Sequence, residues 1–313
     1  MVRDLQAFLQ AVLIAGPTAG GKTALAISLA KKHNGVVINA DSMQVYADLD
    51  ILSARPGLAE QDGVPHVLFG HVDGAVNYSV GKWLEDAGRA LEQARAAGQM
   101  PVFVGGTGLY FKALTQGLSD IPDVPEAVRA QVRADAVSLS APQLHAKLAA
   151  LDPIMAERLR PSDPQRILRA IEVFHASGQS LAHWQGQRSA PLLAAERCSA
   201  WFLNVERAAL MARIDARFDL MMAAGAAEEV ARLAARGLDP SLPVMRAHGV
   251  PGLMAAQRGE ISLKQAIEKG KMDTRAYAKR QLTFARHQLN FQWVSGAEEV
   301  ADSLAAHPSR TSG

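Results

Sequence analysis

Residues 7–23 read AFLQAVLIAGPTAGGKT. An apolar run of strand character leads into Gly, four residues, Gly-Lys-Thr, and an amphipathic helical pattern follows from about Lys22 to His33. This order of strand, glycine-rich turn and helix is what a phosphate-cradling loop needs. The glycines let backbone N–H groups face phosphate oxygens at a helix N-terminus, Lys22 neutralises charge, and the Thr23 hydroxyl is placed to ligate Mg²⁺. Gly16, Pro17, Thr18, Ala19, Gly20 and Gly21 complete the candidate diphosphate site. A chance match in a chain of this length is on the order of 1%, and a plain strand-to-helix turn does not explain Lys22 and Thr23 together. The predicted fold is therefore α/β, a P-loop NTPase-like core with a parallel sheet flanked by helices, opened by a βαβ unit whose second strand is GVVINA at 35–40.

Further along, WLEDAGRALEQARAAGQ at 83–99 predicts a long helix ending at Gly98, followed by a buried strand, MPVFVGG. The alternation then breaks. Residues 118–198 carry no convincing strand but several short helical patterns set apart by proline-rich turns, which predicts an all-helical insertion. CSAWFLNVE at 198–206 predicts a strand returning to the sheet, and helical patterns follow at 209–225, 226–237 and about 262–287. The expected organisation is a first core part over 1–117, an insertion over 118–198 and a second core part over 199–313. Residues 305–313 have the character of a disordered tail.

With 313 residues the chain can bury a sizeable interior. Its composition, 49% hydrophobic and 20% charged, and the lack of an apolar run of bilayer length predict a soluble protein that does not engage a membrane. The apolar N-terminal run reads as the first strand, because a signal peptide would be cut next to the P-loop. A single cysteine, Cys198, excludes a disulfide framework or a Cys-rich zinc site and fits a reducing cytoplasm. At a formal net charge of +2, a nucleic-acid partner must be met by local basic patches. The insertion, with equal numbers of basic and acidic residues, is not uniformly basic. The helix at 262–287 is the most basic stretch, with Lys264, Lys269, Lys271, Arg275, Lys279, Arg280 and Arg286 against Glu268 and Asp273. Charge alone leaves it as either a solvated face or a phosphate-contacting one.

Asp41, in VVINADSMQVY, falls at the carboxyl end of the second strand, where open parallel sheets bind ligands. A carboxylate there can contact Mg²⁺, serve as general base, or merely cap a helical turn. The strand at 101–110 ends Gly105-Gly106-Thr107, without the acidic residue usual in motor and switch NTPases. Its glycines allow close approach of a ligand, and Thr107 can donate a hydrogen bond. In the insertion, PSDPQRILRAIEVF brings Gln165, Arg166 and Arg169 to a helix start, with the two arginines on one face. Arg213 and Arg217 lie four apart on a later helix, and either could serve the P-loop or pair with a nearby carboxylate.

Taken in order and spacing, GPTAGGKT, ADSMQVY, VGGTGLYFKAL, DPQRILRAIEVF, RIDARFDLMMAAGAAEEV and TRAYAKRQLTFAR closely resemble the bacterial tRNA dimethylallyltransferases, or tRNA isopentenyltransferases, of the IPP transferase family. The resemblance runs from about residue 12 to 293. It implies transfer of the dimethylallyl group of dimethylallyl diphosphate to N6 of adenosine 37, beside the tRNA anticodon. The P-loop then holds a leaving group and not a nucleotide, with Lys22, Mg²⁺ on Thr23 and Arg217 stabilising it and Asp41 as the base. The resemblance also assigns tRNA contacts to Asp41, Ser42, Met43, Gln44, Thr107, Arg129, Gln165, Arg166, Ile167, Leu168 and Arg169. The insertion would clamp the anticodon stem-loop, and the basic helix, through Arg275, Lys279 and Arg280, would meet backbone phosphates. No protein partner is implied, and a monomer is the default. Gly20 stands where many members have Ser, at a position contributing backbone only. Val250 and Pro251 replace the aromatic and the charge of a Gly-Tyr-Arg core. The rival readings are a P-loop small-molecule kinase and a non-catalytic tRNA-binding protein.

Overall fold

The computed structural model describes residues 9–296 and 298–300. The first two residues of the predicted first strand, 7 and 8, and the predicted tail at 305–313 lie outside these. Six strands form one sheet: β1 (Ala11–Ala15), β2 (Gly35–Asn39), β3 (His66–Val67), β4 (Met100–Gly105), β5 (Cys198–Leu203) and β6 (Gln292–Val294). Their order is β3-β2-β4-β1-β5-β6, and every neighbouring pair is parallel. Short β3 and β6 at the two edges were not legible in the sequence, because two or three residues carry too little periodicity.

The central strands are buried along their whole length, which is why they read as continuous apolar runs. Their pleat still sorts the side chains. Leu13 and Ala15 join the core on one face, Val12 and Ile14 the core on the other. Helix α1 (Lys22–Lys32) covers the second face through Leu25, Ala26 and Leu29. The short α2 (Leu58–Gln61) follows β2. Helices α3 (Val80–Ala96) and α4 (Gly108–Gln116) supply Trp83, Leu91 and Phe111 to the first face. Helix α3 starts three residues earlier than the apolar pattern predicts, because Ser79 Oγ accepts the Lys82 N–H at 3.2 Å as its cap.

The chain divides into two compact units, 1–115 with 192–313, and 116–191. The second holds α5 (Glu126–Ala136), α6 (Ala141–Leu151), α7 (Pro153–Arg158), α8 (Pro164–Ser177) and α9 (Leu181–Gln185) around a core of its own that includes Leu148, Ile167 and Ile171. The proline-rich turns are helix starts: Asp152 and Asp163 cap the Met155 and Arg166 N–H groups, with Pro153 and Pro164 as first helical residues. Residues 192–197, expected in the insertion, go with the sheet. Leu193 is buried in its core, with its N–H donating to the Leu114 carbonyl at 3.0 Å. The remaining helices are α10 (Arg207–Ala223), α11 (Ala226–Ala235), α12 (Val250–Gln257) and α13 (Leu263–Gln288). Among the described residues no helix is long and apolar enough to cross a membrane.

Candidate active site

The P-loop joins β1 to α1 at the carboxyl edge of the sheet. Gly21 has φ 87° and Ala19 φ 60°, so a residue with a Cβ is also held in the left-handed region, a strain that persists only where the surroundings enforce it. The Pro17 carbonyl organises the turn, accepting the Gly20 N–H at 3.1 Å and the Lys22 ammonium at 2.7 Å. A Cβ on Gly20 would lie 2.8 Å from that same oxygen. A side chain at residue 20 would therefore need a small shift of the Pro17 carbonyl.

Enclosure of its ammonium pushes the Lys22 pKa down to about 8, against the attraction of Asp41 and with a smaller contribution from the like charge of Arg217. The lysine is thus cationic below about pH 8 and neutral above it. Affinity for inorganic diphosphate, once corrected for the ligand's own protonation, should fall towards tenfold per pH unit as pH rises past about 8, with proton uptake on binding. Calorimetry in buffers of different ionisation heat checks this, and affinity that stays flat through pH 9 would separate Lys22 from the anion.

Asp41 follows β2 and is braced on every side by its own neighbours. Buried Asn39 accepts the Asp41 N–H at 2.8 Å and donates to the Asp41 and Leu68 carbonyls at 3.0 Å. One carboxylate oxygen, Oδ1, accepts the Met43 N–H at 3.0 Å. The glycines of Gly105-Gly106 also make room for this assembly. A Cβ on Gly105 would lie 2.0 Å from the Ala40 carbonyl oxygen, and one on Gly106 would meet Gln281 Nε2 at 2.0 Å and Asp41 Oδ2 at 3.3 Å. Thr107 is engaged in the same way, its Oγ1 accepting the Ser42 N–H at 2.9 Å and donating to Ser42 Oγ at 3.2 Å. The Gln44 amide donates to the Ser53 and Ala54 carbonyls, at 3.0 and 2.8 Å.

Two side chains that stood in the quoted segment TRAYAKRQLTFAR without a role of their own close the site. Gln281 of α13 is buried and links the P-loop to the sheet, accepting the Thr18 N–H and donating to the Gly106 carbonyl, both at 2.9 Å. Tyr277, one helical turn earlier, bonds to Thr107 and Gln281, and burial beside Asp41 raises its pKa. Arg217 of α10 donates to the Thr18 hydroxyl. Burial lowers its pKa and Asp41 opposes the shift, so the guanidinium stays cationic.

A polar cleft of about 630 Å³ lies over the P-loop, lined by residues 18–24 and by Asp41, Gln44, Arg213 and Arg217. Beside it is a pocket of about 60 Å³ with a mixed lining, Met43, Leu52, Phe218 and Met221 on the apolar side and His248, Thr274 and Tyr277 on the polar one. Thr18, Asp41, Ser53 and Arg217 line both. A ligand that reaches from one into the other would pass one carboxylate and one guanidinium.

The pocket wall at Leu52 and Ser53 is held from behind by Glu229 of α11. This buried carboxylate accepts three backbone N–H groups, those of Asp50, Ile51 and Leu52, at 2.6, 2.8 and 2.9 Å. Glu229→Ala strands all three donors and should lower stability by about 3 kcal/mol. Glu229→Gln, which keeps one acceptor oxygen, should lose less. Urea midpoints give the ranking, and an alanine variant as stable as the parent would make the turn self-supporting.

Within the helical unit, Arg129 pairs with Glu126 at 2.9 Å and Arg166 with Asp163 at 3.3 Å. Arg169 lies 4.0 Å from buried Glu172, its pKa lowered by burial and by the nearby positive charge of Arg129. Gln165 is exposed and Leu168 half-buried, whereas Ile167 is fully buried. The expected tRNA contact from the Ile167 side chain is withdrawn, since that side chain is a core residue of its own unit. On α13, Lys271 and Arg275 pair with Asp219 and Asp215, at 2.7 and 2.8 Å, so part of the basic stripe is internally neutralised. Lys279 and Arg280 are exposed, with the Arg280 guanidinium 5.7 Å from the Tyr277 ring centre.

The IPP transferase family matches residues 44–288, and isopentenyl transferase matches residues 9–71. The tRNA dimethylallyltransferase of Beijerinckia indica is 64% identical over 289 residues, covering 92% of this chain and 96% of that protein. That of Methylocella silvestris is 61% identical, covering 94% and 98%. Among solved structures, the tRNA isopentenylpyrophosphate transferase of Bacillus halodurans is similar with a TM-score of 0.67 at 32% identity, over 94% of each chain. A eukaryotic dimethylallyltransferase acting on tRNA gives a TM-score of 0.76 at 27% identity, over 93% of this chain and 74% of that one. With its P-loop, Asp41 and Arg217 gathered at one sheet edge and relatives matched over nearly its whole length, the chain belongs to the IPP transferase family.

Proposed function

We propose that the chain transfers the dimethylallyl group of dimethylallyl diphosphate to N6 of adenosine 37 in tRNA, giving N6-(dimethylallyl)adenosine and diphosphate. The observation that supports this reading is the meeting, at Asp41 and Arg217, of the P-loop cleft with a smaller pocket to which Met43, Leu52, Phe218 and Met221 contribute. The strand end Gly105-Gly106-Thr107 brings no carboxylate to the cleft, unlike the motor and switch NTPases.

Lys22 and Arg217 stand where negative charge grows on the departing diphosphate as the allylic C–O bond breaks. The adenine amine is a poor nucleophile, its lone pair being delocalised into the ring, and Asp41 takes its proton as the new bond forms. The target base must leave its stack to reach the sheet edge. Exposed Gln165 and Arg166 with half-buried Arg129 and Arg169 on the helical unit, and exposed Lys279 and Arg280 on α13, are the groups suited to hold the anticodon stem-loop.

Among the described residues no cluster of three or more His, Cys, Asp or Glu could hold a metal by itself. Thr23 and Asp41 nevertheless line one cleft with hard oxygen donors, the set Mg²⁺ takes when substrate phosphates complete its shell. Bound there, Mg²⁺ would neutralise part of the diphosphate charge.

Incubation with Mg²⁺, unmodified tRNA and either dimethylallyl diphosphate or ATP, followed by tRNA mass, tests the reading. A gain of one five-carbon unit with the allylic donor alone supports it. ATP turnover without tRNA modification favours the kinase, and neither event favours a tRNA-binding protein without catalysis.

A further inference from the structure

The ladder between β1 and β4 ends at the pair Ala15 and Gly105. Beyond it the chain leaves the sheet as the two halves of the site: the P-loop after β1, and after β4 the turn Gly106-Thr107, which packs against the loop of Asp41. Each half is braced within itself. The Pro17 carbonyl closes the P-loop turn, while Asn39 and the Met43 N–H hold Asp41. Neither brace reaches from one half to the other. Gln281 of α13 does: its side-chain oxygen accepts the Thr18 N–H and its nitrogen donates to the Gly106 carbonyl, both at 2.9 Å. An amide brings an acceptor and a donor to such a place, whereas a carboxylate only accepts and an ammonium only donates. The helix is seated closely on the turn. A Cβ on Gly106 would lie 2.0 Å from Gln281 Nε2, and one on Gly108 would lie 2.3 Å from Phe284 Cδ1.

We propose that Gln281 is a positioning residue for the transfer, holding the diphosphate loop and the Asp41 loop at the separation the reaction needs. This rests on the dimethylallyl transfer argued above. In that reaction the N6–C1 bond forms as the C1–O bond breaks, diphosphate leaves with the bonding pair, and the amine proton passes to Asp41. The leaving group is held from the P-loop and the amine gives its proton to the other half, so an error in the gap between them is an error in the reacting distance. A misplacement of about 1 Å can cost about 100-fold in rate. Gln281 lines neither the P-loop cleft nor the pocket beside it and so acts through the groups it holds. Its neighbours reinforce the same join. Arg217 donates to the Thr18 hydroxyl, so α10 grips Thr18 by its side chain and α13 by its backbone. Tyr277, one turn before Gln281, bonds to both Gln281 and Thr107, and Thr107 Oγ1 accepts the Ser42 N–H beside Asp41.

The test measures, on the full chain, the single-turnover rate at saturating dimethylallyl diphosphate and unmodified tRNA, together with the Kd values for inorganic diphosphate and for tRNA. Gln281→Met keeps the length of the side chain and removes both bonds. It should lower the rate by about 10- to 100-fold while both Kd values stay close to parental, because each half keeps its own brace. Gly106→Ala reaches the same join from the other side, its methyl group displacing the flexible end of Gln281, and should show the same split. The two changes sever one link, so the double variant should be no slower than the slower single one. A Gln281→Met variant that is folded and transfers at the parental rate overturns the proposal. So does one in which only the Kd for inorganic diphosphate rises, since Gln281 then merely supports the P-loop, and so do losses that multiply in the double variant. Should Gln281→Met not fold, Gly106→Ala decides by its rate and Kd values. A parent chain that adds no five-carbon group to tRNA overturns the proposed function instead.

Discussion

Replacing Asp41 with asparagine should slow group transfer by about 10²- to 10⁴-fold while tRNA affinity changes little. Asparagine is the sharper probe than alanine. Its side-chain oxygen can still accept the Met43 N–H that Asp41 Oδ1 accepts at 3.0 Å, so the loop keeps its shape while basicity is lost. The brace from Asn39 acts on the backbone of residue 41 and is untouched by the change. Single-turnover kinetics with saturating donor and tRNA isolate the chemical step. If Asp41→Asn retains the parental rate within about tenfold, the amine gives up its proton elsewhere, and the carboxylate serves the cation or the loop.

What could be read beforehand follows from the distance over which each signal acts. The P-loop is a contiguous device, its residue types dictated by one turn and one helix start, and it was legible together with the parallel core it opens. Asp41 was legible by position, because a strand end in an open parallel sheet faces the ligand. Gln281 was not. It bonds to Thr18 and Gly106, which are 263 and 175 residues away in sequence, and within α13 it looks like one more polar residue on a charged helix. Glu229 stood in the quoted segment AAEEV, but its purpose appears only once Asp50, Ile51 and Leu52 fold against it. The glycines at 105 and 106 were legible as a close approach, and the approach of Ala40, Asp41 and Gln281 to them was not, although Gly105 also lines the P-loop cleft. Local charge counting likewise overstated the free basic surface of α13, since the partners of Lys271 and Arg275 lie on α10. Ile167 shows the limit of carrying a motif across as a block, for a contact segment on a helix necessarily includes residues that face its own core.

Arg217 yields the other large effect, because its environment makes it responsive to charge that develops during the reaction. Arg217 is half-buried, is oriented through the Thr18 hydroxyl of the P-loop, and lines both the P-loop cleft and the smaller pocket beside it. A donor fixed in this way before the reaction needs no reorganisation as the C–O bond breaks, and in a partly dry site its interaction with the diphosphate grows as the charge grows. Arg217→Gln should therefore lower kcat by about 10²- to 10³-fold, with a smaller rise in KM for dimethylallyl diphosphate. Arg217→Lys should recover only part of the loss, since an ammonium keeps the charge but cannot hold Thr18 and the anion through one planar fork. Steady-state kinetics over both substrates separate the alternatives: a raised KM with unchanged kcat would mean that Arg217 binds the donor equally well before and during transfer, leaving Lys22 and the cation to meet the developing charge.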